Sequence, residues 1–392
     1  VILARGLGAD ARGQLAAVIL WPSLLAMLGA LGISEAATYH AAKRTQPLGA
    51  LVGTVAALAV VQPIILVGAG FVLLPLVLGR QDDTAVRAAH LFLAFVPLNL
   101  LALHLMGIVN GLQRYTAFQA LRLGTVAVGC LGIVGLALED RVSIPSVVAV
   151  YIAANLLATL AAAAFVVHAG AWPLGFSRAL ARSLLRFGVR SHTTSVAGQL
   201  NERLDQLLIS LFLAPVYLGL YVVAVTLTSL SSLVGGSVAQ VALPASAALE
   251  HAAAHRTARR LVGITLAGSV VVTLPLLVFT PEVIALCFGE SFRGATDVAR
   301  ILLVAGVVLS TSRALGAVLT GLGRPLDAAV PELVALAVTL AALAALLPWL
   351  GLVGAGLASL IAYSVGLAGM LRRARRALVY PVEPPLGADD GS

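Results

Sequence analysis

Residues 190–227 read RSHTTSVAGQLNERLDQLLISLFLAPVYLGLYVVAVTL, and this stretch decides the fold. An apolar run long enough to cross a bilayer, residues 187–213, is followed by a short Ala214-Pro215 turn and the start of a second run. Its middle nonetheless carries Asn201, Glu202, Arg203 and Asp205. Charges at membrane depth are costly, so they face a water-filled cavity and mark a substrate or ion path. The surrounding runs are then expected to wall that cavity.

Composition supports the membrane reading. Of 392 residues, 60% are hydrophobic and 11% charged, against about 45–50% and about 25% in soluble domains. Long continuous apolar runs without period-2 alternation argue for helices over a β-barrel. Spans are expected at residues 15–38, 49–79, 89–111, 117–138, 146–170, 187–213, 217–243, 261–287, 297–321, 328–350 and 352–371, about eleven in all. The net charge of +8 is almost wholly arginine, Lys43 being the only lysine. The cations sit between apolar runs rather than on a soluble basic face, so no nucleic-acid partner is expected.

Charge alternates along the connections. Lys43, Arg44, Arg114, Arg178, Arg182, Arg186, Arg190, Arg256, Arg259, Arg260, Arg324 and the tail Arg372, Arg373, Arg375 and Arg376 fall in one set; the other holds Arg5, Arg12, Arg80, Arg87, Arg141, Arg293 and Arg300. The richer set should be cytoplasmic, which places the C-terminus inside.

The chain also repeats itself. Gly79 opens GRQDDTAVRAAHLFLAFVPLNLLALHLMGIVNGLQRYTAF, and Gly289 opens GESFRGATDVARILLVAGVVLSTSRALGAVLTGLGRPLDAAV. Each holds a charged loop, one span and a Gly-Leu-x-Arg turn, ending at Arg114 and Arg324. Gly13 similarly aligns with Gly219. Six spans per repeat give two halves of one orientation. In the second half a full helix precedes Gly219, whereas few residues precede Gly8, so the first helix is expected to be missing from the front. With it restored both termini would be cytoplasmic. The expected organisation is an N-terminal bundle at 1–170, a basic amphipathic interfacial linker at 171–186, a C-terminal six-helix bundle at 187–376 and a disordered tail at 377–392.

LARGLGADARGQLA near the start, RLDQLLISLFLAPVYLGLYVVAV, and FGESFRGATDVARILLVAGVVLSTSRALGAVLTGLGRP together resemble the polysaccharide flippases of the multidrug/oligosaccharidyl-lipid/polysaccharide exporter superfamily. The resemblance covers nearly the whole chain. It implies an all-α membrane fold of two pseudo-symmetric six-helix bundles around a central cavity. It also implies a bacterial cytoplasmic-membrane location and an undecaprenyl-pyrophosphate-linked oligosaccharide substrate, moved for cell-surface polysaccharide synthesis alongside a glycan polymerase and glycosyltransferases.

Candidate residues follow from intramembrane polarity. If residues 187–213 form one helix, Gln199, Arg203, Gln206 and Ser210 share a face, and Asn201, Asp205 and Ile209 share another. Arg203 suits pyrophosphate or a sugar acid, because a guanidinium matches phosphate oxygens bidentately. Arg313 and Arg122 are further cationic candidates, and Asn201 and Gln206 polar ones. Asp205, Glu332 and Glu35 are candidates for ion coupling or gating. Each also has a structural reading: an interhelical ion pair, snorkelling, or an interfacial position. No Gly-Lys-Ser/Thr phosphate loop or metal-ligand spacing occurs, so no cofactor, metal or covalent chemistry is expected. The competing functions are a multidrug/cation antiporter, a peptidoglycan-precursor flippase, an inactive membrane scaffold and a polysaccharide polymerase.

Overall fold

The computed structural model describes residues 1–44, 46–247, 251–322 and 324–379; most of the tail expected to be disordered, and Gly323 of the second turn, lie outside them. No strand occurs among the described residues. The helices are α1 (Ile2–Gly29), α2 (Ile33–Lys43), α3 (Leu48–Val77), α4 (Asp83–Phe92), α5 (Phe95–Gly111), α6 (Tyr115–Leu138), α7 (Ile144–Val166), α8 (Arg178–Asn201), α9 (Leu204–Phe212), α10 (Pro215–Ala247), α11 (His251–Val278), α12 (Thr280–Phe288), α13 (Thr296–Gly321) and α14 (Pro325–Val379). The chain divides into two units, Val1–Leu220 and Tyr221–Ser392, so α8 and α9 group with the first.

Nine helices among the described residues are long and apolar enough to cross a membrane. Two features explain the difference from eleven expected runs. First, 55 residues of α14 would make a rod of about 80 Å, far beyond a bilayer core. The backbone leaves the helical region at Gly351 (φ 55°, ψ −131°). A Cβ on Gly354 would overlap the Leu346 carbonyl, one on Gly366 would press on Ala335, and one on Gly369 on Pro331. Asp327 meets Arg373 at 2.9 Å. These pairs close like a zip about residue 350, so α14 is a hairpin of two antiparallel spans. Second, the run at 187–213 is two helices, broken at Glu202–Arg203.

Polar groups tie the first unit together where lipid offers no alternative partner. Gln62 Nε2 donates to the Gly29 carbonyl at 3.0 Å, and its Oε1 faces His104 Nε2 at 3.2 Å. Thr159 Oγ1 donates to the Leu98 carbonyl at 2.9 Å, joining α5 to α7. Thr38 Oγ1 donates to the Gly107 carbonyl at 2.9 Å, joining α2 to α5. In the second unit Thr273 Oγ1 donates to Ser231 Oγ at 2.9 Å, and Ser310 Oγ lies 3.4 Å from the Ser231 carbonyl. Outward, Ile64, Ile65, Leu76, Leu123, Leu131 and Leu138 stand exposed, as a lipid-facing surface requires.

Charge sorts to the ends of the first unit. Thr38 and Ala41 pack on Gly111, so Lys43, Arg44 and Arg114 share one end. α8 joins them there: Phe187 stacks on Tyr39, and His40 Nε2 lies 3.1 Å from Ser183 Oγ. No acid occurs between Glu35 and Asp82, Asp83 and Glu139, or Asp140 and Glu202, so nothing in these segments offsets that end. At the other end Gln14 Nε2 donates to Asp10 at 2.9 Å and Asp82 at 2.7 Å, and Glu139 pairs with Arg141.

Among the described residues, the two Gly-Leu-x-Arg turns share two backbone hydrogen bonds. Leu112 N–H donates to Ile108 O at 2.9 Å and Leu322 N–H to Val318 O at 3.0 Å; Arg114 N–H donates to Val109 O at 3.3 Å and Arg324 N–H to Leu319 O at 3.0 Å. Each preceding helix ends at the glycine and each following helix starts just after the arginine.

Candidate functional site

The helix break positions the site. Polar side chains fill four of the five positions 201–205, a run that offers the backbone competing partners. α8 ends at Asn201, the Glu202 N–H closing on Gly198 O and the Arg203 N–H on Leu200 O at 2.9 Å. α9 restarts at Leu204, and Asp205 Oδ1 accepts the Gln206 N–H at 2.7 Å, satisfying one of the free donors of a new helix. A carboxylate in the first turn also complements the helix dipole.

The break overturns the face assignment made for a continuous helix. Arg203 is exposed, whereas Asp205, Gln206, Ile209 and Ser210 are buried. Arg203, Glu202 and Gln199 line a pocket of about 260 Å³ whose far wall is Leu20, Ser23, Leu24 and Met27 of α1. Just beyond it Trp21 Nε1 donates to Ser210 Oγ at 3.2 Å, holding α1 against α9. The pocket therefore has an apolar wall from α1 and a charged, amide-bearing wall from the helix break. Such a surface suits an amphiphile with a polar head.

α1 and the start of α10 also cross at very short range. A Cβ on Gly13 would overlap the Pro215 carbonyl, and one on Gly219 would overlap the Ala9 carbonyl. The two glycines aligned by the internal repeat are thus in contact with each other's helices. This crossing is at the Asp10 end, opposite Lys43.

The other candidates are dispersed. Asn201 is half-buried at the last position of α8. Arg122 lies exposed early in α6, and Glu35 exposed in the first turn of α2. Arg313 is half-buried in α13 of the second unit, after buried Ser310, Thr311 and Ser312. Glu332 is exposed in the first arm of α14. The structure thus gathers Gln199, Asn201, Glu202, Arg203, Asp205 and Gln206 around one break. It adds the α1 wall, which sequence reasoning missed. Its signal was Pro22-Ser23 in the middle of an apolar run.

Comparison with known proteins agrees with this architecture. The family model described as "Polysaccharide biosynthesis protein" matches residues 2–297. The probable low-salt glycan biosynthesis flippase Agl15 of Haloferax volcanii is 25% identical over 189 residues. That match spans 47% of this chain and 40% of the relative. Among solved structures, a multidrug resistance MATE family transporter in an inward-facing conformation superposes with a TM-score of 0.75 at 15% identity, over 97% of this chain and 95% of that one. The lipid II flippase MurJ, in an inward closed conformation, superposes with a TM-score of 0.79 at 14% identity, over 96% and 84%. At these identities the two structures establish the fold alone. A multi-span helical chain with this fold, matched over most of its length by that family model, belongs to the polysaccharide biosynthesis protein family.

Proposed function

We propose that the chain carries a polyprenyl-pyrophosphate-linked oligosaccharide across the bacterial cytoplasmic membrane by alternating access. The observation that carries the reading is Arg203, exposed at a helix break into a pocket within a membrane-spanning bundle. The guanidinium would take the pyrophosphate, a bidentate match for its oxygens. Gln199 and Ser23 would meet sugar hydroxyls, and the α1 wall the first carbons of the lipid. Asp205, engaged by the Gln206 N–H, would fix the break that presents Arg203 and leave less for ion coupling.

In this cycle the bundles 1–170 and 187–376 move about the linker 171–186. The pocket then sits between α1 of one and α8–α9 of the other, so its opening and closing follow their rocking. The tight Gly13–Gly219 crossing would shut the Asp10 end, leaving access from the Lys43 end. The cluster of Lys43, Arg44, Arg114 and Arg178–Arg190 supports placing that end in the cytoplasm, and the arginines at 372–376 support the same for the C-terminus. Arg122, Arg313 and Glu332 would act as secondary contacts or gates in the same cycle, and Glu35 at the cytoplasmic mouth.

Glu202 in the pocket favours one second reading, a cation antiporter, in which the acid rather than the arginine binds cargo. Cells lacking the chain separate the two. Under the flippase reading they accumulate lipid-linked glycan on the cytoplasmic leaflet, wild type and Glu202→Gln clear it, and Arg203→Gln does not. Under the antiporter reading no glycan accumulates, and Glu202→Gln loses resistance to organic cations.

A further inference from the structure

α8 is docked by one face and exposed on the other. Leu180 and Leu184 are buried in the core that α2, α3 and α5 share, and Gly188 packs so closely on the Leu31–Gly32 backbone that a Cβ would overlap it. The linker ahead of it is pinned as well: Gly175 N–H donates to Gly49 O at 3.1 Å and Ser177 N–H to Thr54 Oγ1 at 3.0 Å. The start of α8 is therefore fixed to the body of the first unit.

The opposite face carries Arg178, Arg182, Arg186 and Arg190, all exposed, beside a groove of about 620 Å³ lined also by Ala181, Leu185 and Val189. Like charges at i, i+4 spacing repel along a helix. No acid lies between Asp140 and Glu202 in the sequence. Just before the helix Trp172 and Phe176 are 72% and 63% exposed, the aromatic type that settles at the headgroup level.

We propose that this face binds anionic phospholipid headgroups of the cytoplasmic leaflet. The length of the row decides against the transported pyrophosphate as its occupant. Arg178 to Arg190 covers about 18 Å of helix axis, and the row also winds around the helix, so one diphosphate cannot meet it. Several neighbouring headgroups can, with their first acyl carbons against Leu185 and Val189. α8 runs without interruption from this face to Asn201 beside the Arg203 pocket. Headgroup binding at its start therefore holds the helix that presents the site.

The inference rests on the cytoplasmic placement of this end but not on the identity of the cargo. The test uses the full chain in phosphatidylcholine bilayers without glycan, and reads by electron paramagnetic resonance the association of spin-labelled phosphatidylglycerol relative to spin-labelled phosphatidylcholine. Wild type should prefer the anionic lipid, and the preference should shrink with added salt. Each arginine removed should lower it by up to about fivefold. R178Q/R182Q/R186Q should bring it close to one, whereas the matching lysine triple variant should keep it. Undiminished preference in the glutamine variant, or in wild type at high salt, overturns the proposal, as does equal loss in the lysine variant. Should the triple variant fail to insert, Arg182→Gln alone and the salt series decide between the same outcomes. A chain that selects anionic lipid yet moves no glycan would overturn the flippase reading and leave this one standing.

Discussion

The turns at Arg114 and Arg324 share two backbone hydrogen bonds, yet they treat their charge in opposite ways. Asp327 lies 3.8 Å from Arg324 and 2.9 Å from Arg373, so the second turn's arginine shares a neighbouring carboxylate. Arg114 has no acid nearby in sequence; it is exposed in a pocket of about 540 Å³ with Tyr115, Thr116 and His168. Eight residues further on, the first half has Arg122 and the second Glu332. The repeat thus preserves the scaffold while charge diverges upon it. A backbone turn is closed by main-chain groups that any sequence supplies, whereas side-chain charge is free to follow function. The half that keeps the exposed cations is the half that supplies the α1 wall of the Arg203 pocket.

That contrast can be broken most forcefully at the backbone. Gly13→Leu and Gly219→Leu put side chains where carbonyls already stand, and each should cost about 1–3 kcal/mol or more. Because the positions are repeat partners, the two losses in thermal stability of the purified chain should be similar. A large loss at one and none at the other would deny the equivalence. Next in size, Arg203→Gln should lower transport about 10- to 100-fold, the worth of a charge-assisted contact, with little change in melting temperature. Unchanged transport would remove Arg203 from the binding surface.

Smaller effects sharpen the charge comparison. Asp327→Asn strips the shared partner of Arg324 and Arg373; both pairs are partly solvated, so the loss should be about 1 kcal/mol or less. Arg114→Gln should leave stability within about 0.5 kcal/mol. If chemical denaturation shows the two equally costly, the turns handle their charge alike after all. The smallest effect belongs to His40. Burial first, and the nearby Lys43 charge second, hold its imidazole below the ordinary 6.5. The unfolded chain then takes up the proton first on acidification. Stability is full above 6.5 and declines as pH falls from there through the lower folded value. His40→Gln should flatten a pH series of melting temperatures across that window.

Much of the fold was legible because it rests on run length and glycine placement. The hairpin of α14 was expected as two spans, since Gly351 divides two apolar runs, each of bilayer length. The Gly13–Gly219 offset was readable too. Their mutual contact was not, because an alignment of repeats carries no distance between them. The site was half legible: Asn201, Arg203 and Asp205 stood out by charge, but their facing did not, since the same polar run that marks the site also breaks the helix. Leu24 and Met27 were invisible as a pocket wall, being ordinary residues of an apolar span whose partner is remote in sequence; Pro22-Ser23 marked the span but not what it faces. The arginine spacing of the linker was visible from Arg178 onward, while its continuation to Asn201 as one helix emerged only from the structure.

The decisive question is whether a pyrophosphate-linked glycan moves through this chain by way of Arg203. The direct measurement is reconstitution of the full chain in liposomes carrying polyprenyl-pyrophosphate oligosaccharide in the inner leaflet, followed by the glycan's accessibility to an external, impermeant glycosidase. The expected result is steady exposure of glycan with the wild-type chain, and a rate about 10- to 100-fold lower with Arg203→Gln. Glycan that stays shielded in wild-type liposomes, or that emerges equally fast with Arg203→Gln, would contradict it.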